Sequence, residues 1–458
     1  MPEPYCPPRP RSLPSLAALL RVMLRGDGDL LSLLPAVAYR TPVGPLGFSR
    51  RKILLVNDPE LVRPILADDG ERYPKNDLMT EALAPLIGDS IFVSGGERWR
   101  GQRRLVDPAF SHMRLGRAFV SMSAAVDDME QRLDAAADSG DAFSLDLAMS
   151  HLTADIICRT VFSTSLETRV ARDVFDAFAV FERDCAQVEL KRLIFDRPFA
   201  NVPQHAHVLD ACRQIRMHLG TLLDTHIGAD GAAFDDIAAA VIAARDGVSG
   251  QGFTREELLD QLGVLFLAGH ETSASALIWA FLLVAMRPDV ASRLRQQVDD
   301  VVGSGPVTLE HTRRLPYVRN VFRETLRLYP PITFLPRVAL EPGRIGGHRV
   351  KRGTMLMIAP WTIQRHRLYW KNPDDFDPDR FSAEREHEIV PGTYLPFGQG
   401  PRVCVGAGFA AVEAALILAR LVRRYDFEAI DADRVRPVAR LTTRPAQQVS
   451  CRVRRRTA

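Results

Sequence analysis

Residues 397–406 read FGQGPRVCVG, and the reading of the rest of the chain turns on Cys404 within them. Gly398, Gly400, Gly406, Pro401 and Arg402 crowd those ten residues. Glycine admits φ > 0 and close backbone approach, while proline fixes φ and removes a donor. A loop so constrained is shaped to present its thiol; a disulfide or a plain buried cysteine needs no such frame. Directly after it, GAGFAAVEAALILARLVRRY (406–425) has strong helical periodicity. Cys404 is therefore expected on a loop at a helix entrance, where backbone amides and the helix dipole lower a thiol pKa. Such a thiolate is a nucleophile or a metal ligand. A cysteine hydrolase wants a histidine partner, and no local signature identifies one.

Composition bounds the answer. The 458 residues are 46% hydrophobic and 25% charged, ordinary values for a globular protein. No linker, repeat or low-complexity tract divides the chain, so one large domain over 46–458 is expected after an N-terminal segment and first helix at 1–45. The net charge of +3 is too balanced to argue for nucleic acid. Six scattered cysteines without C-x-x-C pairs fit free thiols in a reducing compartment. The N-terminal leucine runs are broken by Arg and Asp before they could span a bilayer, and no small-residue cleavage site follows Arg9 and Arg11. No transmembrane segment and a cytoplasmic location are expected.

One internal stretch, from Leu262 to Met286, is apolar enough to pass a membrane scan, but AGHETS (268–273) lies inside it. An acid at a bilayer centre costs several kcal/mol, so a long buried helix is expected instead, opened by a Thr254–Glu257 capping box and ended at Pro288. AGHETS is either a polar seam satisfied by its neighbours or a helix interrupted where a ligand approaches, with Gly269 giving room. GFSRRKILLVND (47–58) reads as a hairpin before a helix capped by Asp58. Residues 120–245 read as helices, and the stretches after Pro336 and near the C-terminus as strands. The fold class expected is mainly α with smaller β-sheets.

These features converge on one resemblance. FGQGPRVCVG resembles the haem-binding signature of the cytochrome P450 superfamily, matching at Phe397, Gly400, Arg402, Cys404 and Gly406. AGHETS resembles that family's oxygen-activating segment at Ala268, Gly269, Glu271, Thr272 and Ser273. ETLR (324–327) resembles its Glu-x-x-Arg helix, and FDPDRF (376–381) its aromatic–Pro–acid–Arg–Phe loop, with Asp379 where Glu is more usual. WRGQR (99–103) resembles the Trp-x-x-x-Arg segment facing a haem propionate. All five stand in the family's order and span nearly the whole chain, in the soluble bacterial type.

The resemblance implies a haem b held between the long central helix and the cysteine loop, with Cys404 as axial thiolate ligand. Phe397 and Gly398 would lie beside the sulfur, Gly406 at the helix start, and Ala268 and Gly269 over the other face. Trp99, Arg103, Arg337 and Arg402 would hold the propionates. Glu324, Arg327 and Arg380 would form a buried structural network. Thr272 and Glu271 would deliver protons to O2; His270 is expected to be structural. No flavin or iron–sulfur domain is evident, so electrons from NAD(P)H would arrive through a ferredoxin and its reductase, with Arg420, Arg423 and Arg424 as docking candidates. A hydrophobic substrate (fatty acid, terpenoid, steroid or aromatic) would meet Leu78, Ile91, Phe92, Val264, Leu265, Thr333 and Phe334. Lys75, Arg183, Lys191 and Arg192 would meet a carboxylate at the mouth or simply be surface charge. The activity implied is that of a monomeric haem-thiolate monooxygenase. Its competitors are a non-catalytic haem or ligand-binding protein of the same fold and a haem-free cysteine-nucleophile enzyme.

Overall fold

Arg255–Met286 is one unbroken helix of 32 residues, about 48 Å long at ~1.5 Å per residue. The capping box forms as the sequence predicts: the Glu257 amide donates to Thr254 Oγ1, and the Thr254 amide to the Glu257 carboxylate. This central helix is buried almost all round, as expected of a helix in the core of a large domain. Among the described residues it is the only helix long and apolar enough to cross a membrane, and 83% of its apolar window is buried against the rest of the protein. The computed structural model describes residues 5–10, 13–25, 29–46, 52–68, 70–185, 195, 204–228 and 234–456.

Two hydrophobic cores meet this helix at different points. Leu258 to Leu267 packs with Leu145–Phe162, Arg169–Cys185 and Ala206–Gly228. Ala276 to Val284 packs with His112–Ser139, Pro316–Leu328 and Ala407–Arg424. AGHETS falls in the gap between them. Of the two readings of AGHETS, the interrupted helix is not seen, since the helix continues through Gly269. Gly269 also answers to packing: a Cβ on it would lie 2.3 Å from Ile157 Cδ1 on the neighbouring helix.

A four-stranded sheet flanks the helices in the order Val43–Pro45, Ile53–Val56, Met355–Ile358, Leu335–Val338. Its middle pair is parallel and both outer pairs are antiparallel. A three-stranded sheet joins Phe143–Ser144, Ser450–Arg455 and Tyr425–Ala429. Asp58 caps the helix Pro59–Ala67 by accepting from the Glu60 amide at 2.9 Å. The expected class, mainly α with small sheets, is the one observed. Near the N-terminus, the Tyr5 carbonyl accepts from the Phe376 amide at 2.9 Å and the Pro8 carbonyl from the Tyr329 hydroxyl at 2.5 Å.

Candidate active site

The cysteine loop is held by its own backbone. The Cys404 amide donates to the Phe397 carbonyl at 2.9 Å, and the Val403 amide to the Gly400 carbonyl at 3.1 Å. Gly398 and Gly400 both sit at φ 75°. At Gly400 a Cβ would also come 2.4 Å from the Leu66 carbonyl, so glycine is required twice over. Gly406 precedes the helix Ala407–Arg424, and Cys404 is accessible on the side that faces a cavity. The helix entrance acts on the thiol in the direction the sequence predicts, but its effect is outweighed. Desolvation by the surrounding protein pushes it up, and the Gly406 amide and the Arg103 charge oppose this without prevailing.

That cavity, of about 2110 Å³ including its open mouth, separates the cysteine loop from the central helix. Phe397, Gly398, Arg402, Cys404 and Gly406 line one wall; Ala268, Gly269, Glu271, Thr272 and Ser273 line the other. Trp99, Arg103 and Arg337 close the edge, and a fourth cation, Lys75, joins them. Lys75 belongs neither to the mouth nor to the surface. Its ammonium stands 3.8 Å from the centre of the Phe92 ring and donates to the Phe92 carbonyl. Burial, Arg337 and Arg402 together hold its pKa well below the usual lysine range. Burial and Arg402 likewise push Arg337 down to about 10. Arg402 stacks on Trp99 at 4.4 Å and donates to the Ser94 carbonyl at 2.8 Å. Arg103 is held by Asp107 and donates to the Val403 carbonyl at 2.8 Å.

Four cations and a single carboxylate, Glu271, line this cavity among the described residues. Mutually repelling cations at one edge of an apolar slot suit a dianion presenting two carboxylates, and the thiol on the wall supplies an axial donor. The residues therefore fit a haem b. Arg337, Arg402 and Lys75 would take its propionates, and Cys404 its iron.

On the opposite wall Thr272 Oγ1 donates to the Ala268 carbonyl at 2.6 Å, which leaves its lone pairs free to accept. Glu271 is not a free acid. It accepts from the Thr442 hydroxyl and from Arg444 Nε at 3.0 Å, with Arg444 Nη2 on its second oxygen. Burial pushes Glu271 up, with Glu182 adding and Arg444 opposing. His270 lies off the cavity, ringed by Phe175, Phe178 and Phe266. Neither Arg444 nor Thr442, some 170 residues along the chain, carries any sequence signal of this contact.

Behind the cysteine loop, Glu324 and Arg327 are wholly buried and paired at 2.6 Å, with Arg380 at 3.2 Å from the same carboxylate. Arg327 also donates to the Gln364, Pro373 and Asp375 carbonyls, and Arg380 to those of Lys371 and Asn372. The network ties the Glu-x-x-Arg helix to the loop before the cysteine.

Of the residues expected to meet substrate, Ile91, Phe92, Val264, Leu265 and Phe334 line the cavity. Thr333 does not: it is buried, and its carbonyl accepts from the Trp361 amide at 3.4 Å. The Leu78 side chain, Lys191 and Arg192 lie outside the described residues, and Arg183 is exposed. Phe110 and Ile157 were not foreseen there. The arginines named as docking candidates have partners within the protein. Arg420 and Arg424 pair with Glu130, Arg423 donates to the Gly303 and Gly305 carbonyls, and all three sit at the helix end remote from Cys404.

A thiol facing an apolar slot, edged by cations and roofed by an acid–alcohol segment, is the layout of a haem-thiolate oxidoreductase. The family profile described as Cytochrome P450 matches residues 7–450, and the chain belongs to that family. Cyclooctatin synthase of Streptomyces melanosporofaciens is 30% identical over 433 residues, covering 93% of this chain and 91% of the relative. Cyclooctat-9-en-7-ol 5-monooxygenase of the same organism is 29% identical over 441 residues, covering 94% and 89%. The heme domain of a cytochrome P450DA mutant superposes with a TM-score of 0.83 at 24% identity over 98% of both chains. The protein is thus a haem-thiolate enzyme that uses O2 and electrons passed from NAD(P)H through a partner. A haem-free cysteine nucleophile is excluded by that membership.

Proposed function

We propose that this enzyme inserts one oxygen atom of O2 into a neutral, carbocyclic, terpenoid-like substrate and reduces the other to water, with a ferredoxin and its reductase as electron source. The observation that carries the reading is one largely apolar cavity with Cys404 on one wall and Thr272 across from it, its cations Lys75, Arg337 and Arg402 close enough to act on one another. Bound haem supplies oxygen activation, which thiolate ligation promotes in this family. Lys75, Arg337 and Arg402 fix its orientation through the propionates, and Phe397 shields the sulfur from water. Thr272 Oγ1 accepts a hydrogen bond from a water and holds it over the wall, and Glu271 passes a proton toward that water. Phe92, Leu265 and Phe334 exclude solvent and grip the substrate by area alone.

A fatty acid would want a free cation on the substrate side; three of the cavity's four cations are assigned to the propionates, and the fourth, Arg103, is paired with Asp107. The name of one relative, a monooxygenase of an unsaturated carbocyclic alcohol, points the same way. Electron transfer is read onto the outer side of the cysteine loop, in a monomeric cytoplasmic protein.

The test is a spectrum of the dithionite-reduced protein with carbon monoxide, beside Cys404→Ala, followed by spin-shift titration. A strongly red-shifted Soret band lost in the variant, with carbocyclic terpenoids binding more tightly than fatty acids of equal carbon count, is expected. A histidine-type band overturns the ligand, and preference for fatty acids overturns the substrate class. Substrate-dependent O2 consumption separates this enzyme from a haem protein of the same fold that only binds ligands.

A further inference from the structure

Behind the cavity wall four ionisable side chains from three elements meet. Glu182 comes from the helix Arg169–Cys185, His270 and Glu271 from the central helix, and Arg444 from the strand Thr443–Pro445. One ligand-type atom of each of Glu182, His270 and Glu271 lies within 4.8 Å of the others. His270 Nδ1 is 3.2 Å from Glu182 Oε1, while Arg444 pairs with Glu271 and stands 3.9 Å from Glu182. Around them, Thr442 donates to Glu271, Arg444 donates to Ser150 Oγ at 3.0 Å, and Asp146 acts on Arg444 from farther off while accepting from the Val449 amide. An arginine within reach of both carboxylates repels any metal ion, so the cluster is not a cation site.

Its charges do not balance. Two carboxylates, Glu182 and Glu271, share one guanidinium, Arg444, so the ionised pair exceeds the fixed cation by one charge in surroundings that penalise the excess, and Asp146 adds to it. One added proton restores neutrality. Glu271 reaches the cavity, whereas Glu182 is absent from the cavity wall yet keeps 19% of its side chain exposed. The open edge of Glu182 therefore looks out on the other side.

We propose that Glu182 and Glu271 share one exchangeable proton, and that Glu182 replaces it from solvent each time Glu271 releases one toward Thr272. In the step, an O–H bond of Glu271 breaks toward the water held by Thr272. With the shared proton spent, both groups are carboxylates; Glu182 takes a new proton from bulk solvent, and that proton then shifts to Glu271, so the pair again holds one and nothing is oxidised or reduced. His270 holds Glu182 in place. This rests on the reading of Glu271 and Thr272 as the oxygen-side pair.

The experiment uses the holoenzyme and its Glu182→Gln, Glu182→Asp and Thr272→Ala variants. Infrared spectra at neutral pH read the protonated-carboxyl C=O stretch and its shift in D2O. NADPH oxidation without substrate, driven by a plant-type ferredoxin and its reductase, reads the share of O2 that escapes as hydrogen peroxide or superoxide. Glu182→Gln is expected to lose one carboxyl band, because removing one negative charge removes the need for the proton. It is also expected to raise the escaping share several-fold at unchanged haem content and carbon monoxide spectrum, with Glu182→Asp close to wild type. With the Glu413 carboxyl band assigned by its loss in Glu413→Gln and set aside, a wild type with no further deuterium-sensitive carboxyl band, or a Glu182→Gln protein that keeps that further band or the wild-type leak, overturns the proposal. Thr272→Ala separates the two readings: if it does not leak, the oxygen-side pair falls; if it leaks and Glu182→Gln does not, only the role of Glu182 falls.

Discussion

Lys75 stands with Arg337 and Arg402 in a setting that disfavours its own charge, since burial and both guanidiniums hold its pKa far down. An arriving propionate reverses the sign of that environment. Lys75→Met is expected to speed haem loss to apomyoglobin several-fold while leaving the carbon monoxide band in place, because the thiolate is untouched. Thr272→Ala is expected to keep substrate affinity and to convert substrate oxidation into peroxide release, measured as product formed per NADPH consumed. These residues divide by how far their reasons lie along the chain. Cys404 and Thr272 were legible because glycine spacing and an acid–alcohol pair are local necessities. Lys75, Arg444 and Thr442 were not, because each becomes chemical only where the fold brings it to a wall built from other segments. Gly269 was legible in part: it lines the cavity as local logic expected, while its contact with Ile157 on the neighbouring helix could not be read from the sequence.

Two helix contacts carry the geometry between these residues. Against Leu145–Phe162, a Gly269→Ala change sets a methyl 2.3 Å from Ile157 Cδ1. It is expected to lower the melting temperature, and Ile157→Val in the same chain to recover part of the loss, a coupling that a double-mutant cycle would read. Against Ala407–Arg424, Ser273 donates to Glu413 Oε2 at 2.6 Å. Burial pushes the Glu413 carboxyl up to about 8 even so. A native state that binds this proton where the unfolded chain has released it loses stability as pH rises from the ordinary value of 4.5 through about 8. Glu413→Gln is expected to flatten that slope in melting curves taken across the window; an unchanged slope would show the carboxyl ionised in place. Helix positions and the capping box were readable from periodicity and Thr254, yet nothing in either helix alone shows that Ser273 and Glu413 face each other.

At the scale of the molecule, the Glu324–Arg327–Arg380 network joins the Pro316–Leu328 helix to the loop that leads to the cysteine. Both partners of the first pair are wholly buried, so Glu324→Ala strands two guanidiniums at a cost of about 3–5 kcal/mol. Poor haem content and a lowered denaturant midpoint are the expected readouts. The cations at the cavity edge have a bearing on how the protein is made. Until a dianion arrives they repel one another, so the freshly synthesised chain closes around a charge it does not yet own, and prosthetic-group supply becomes part of its maturation. A cell producing the chain faster than it delivers haem would then accumulate a strained, protease-sensitive precursor rather than a folded reserve awaiting its cofactor.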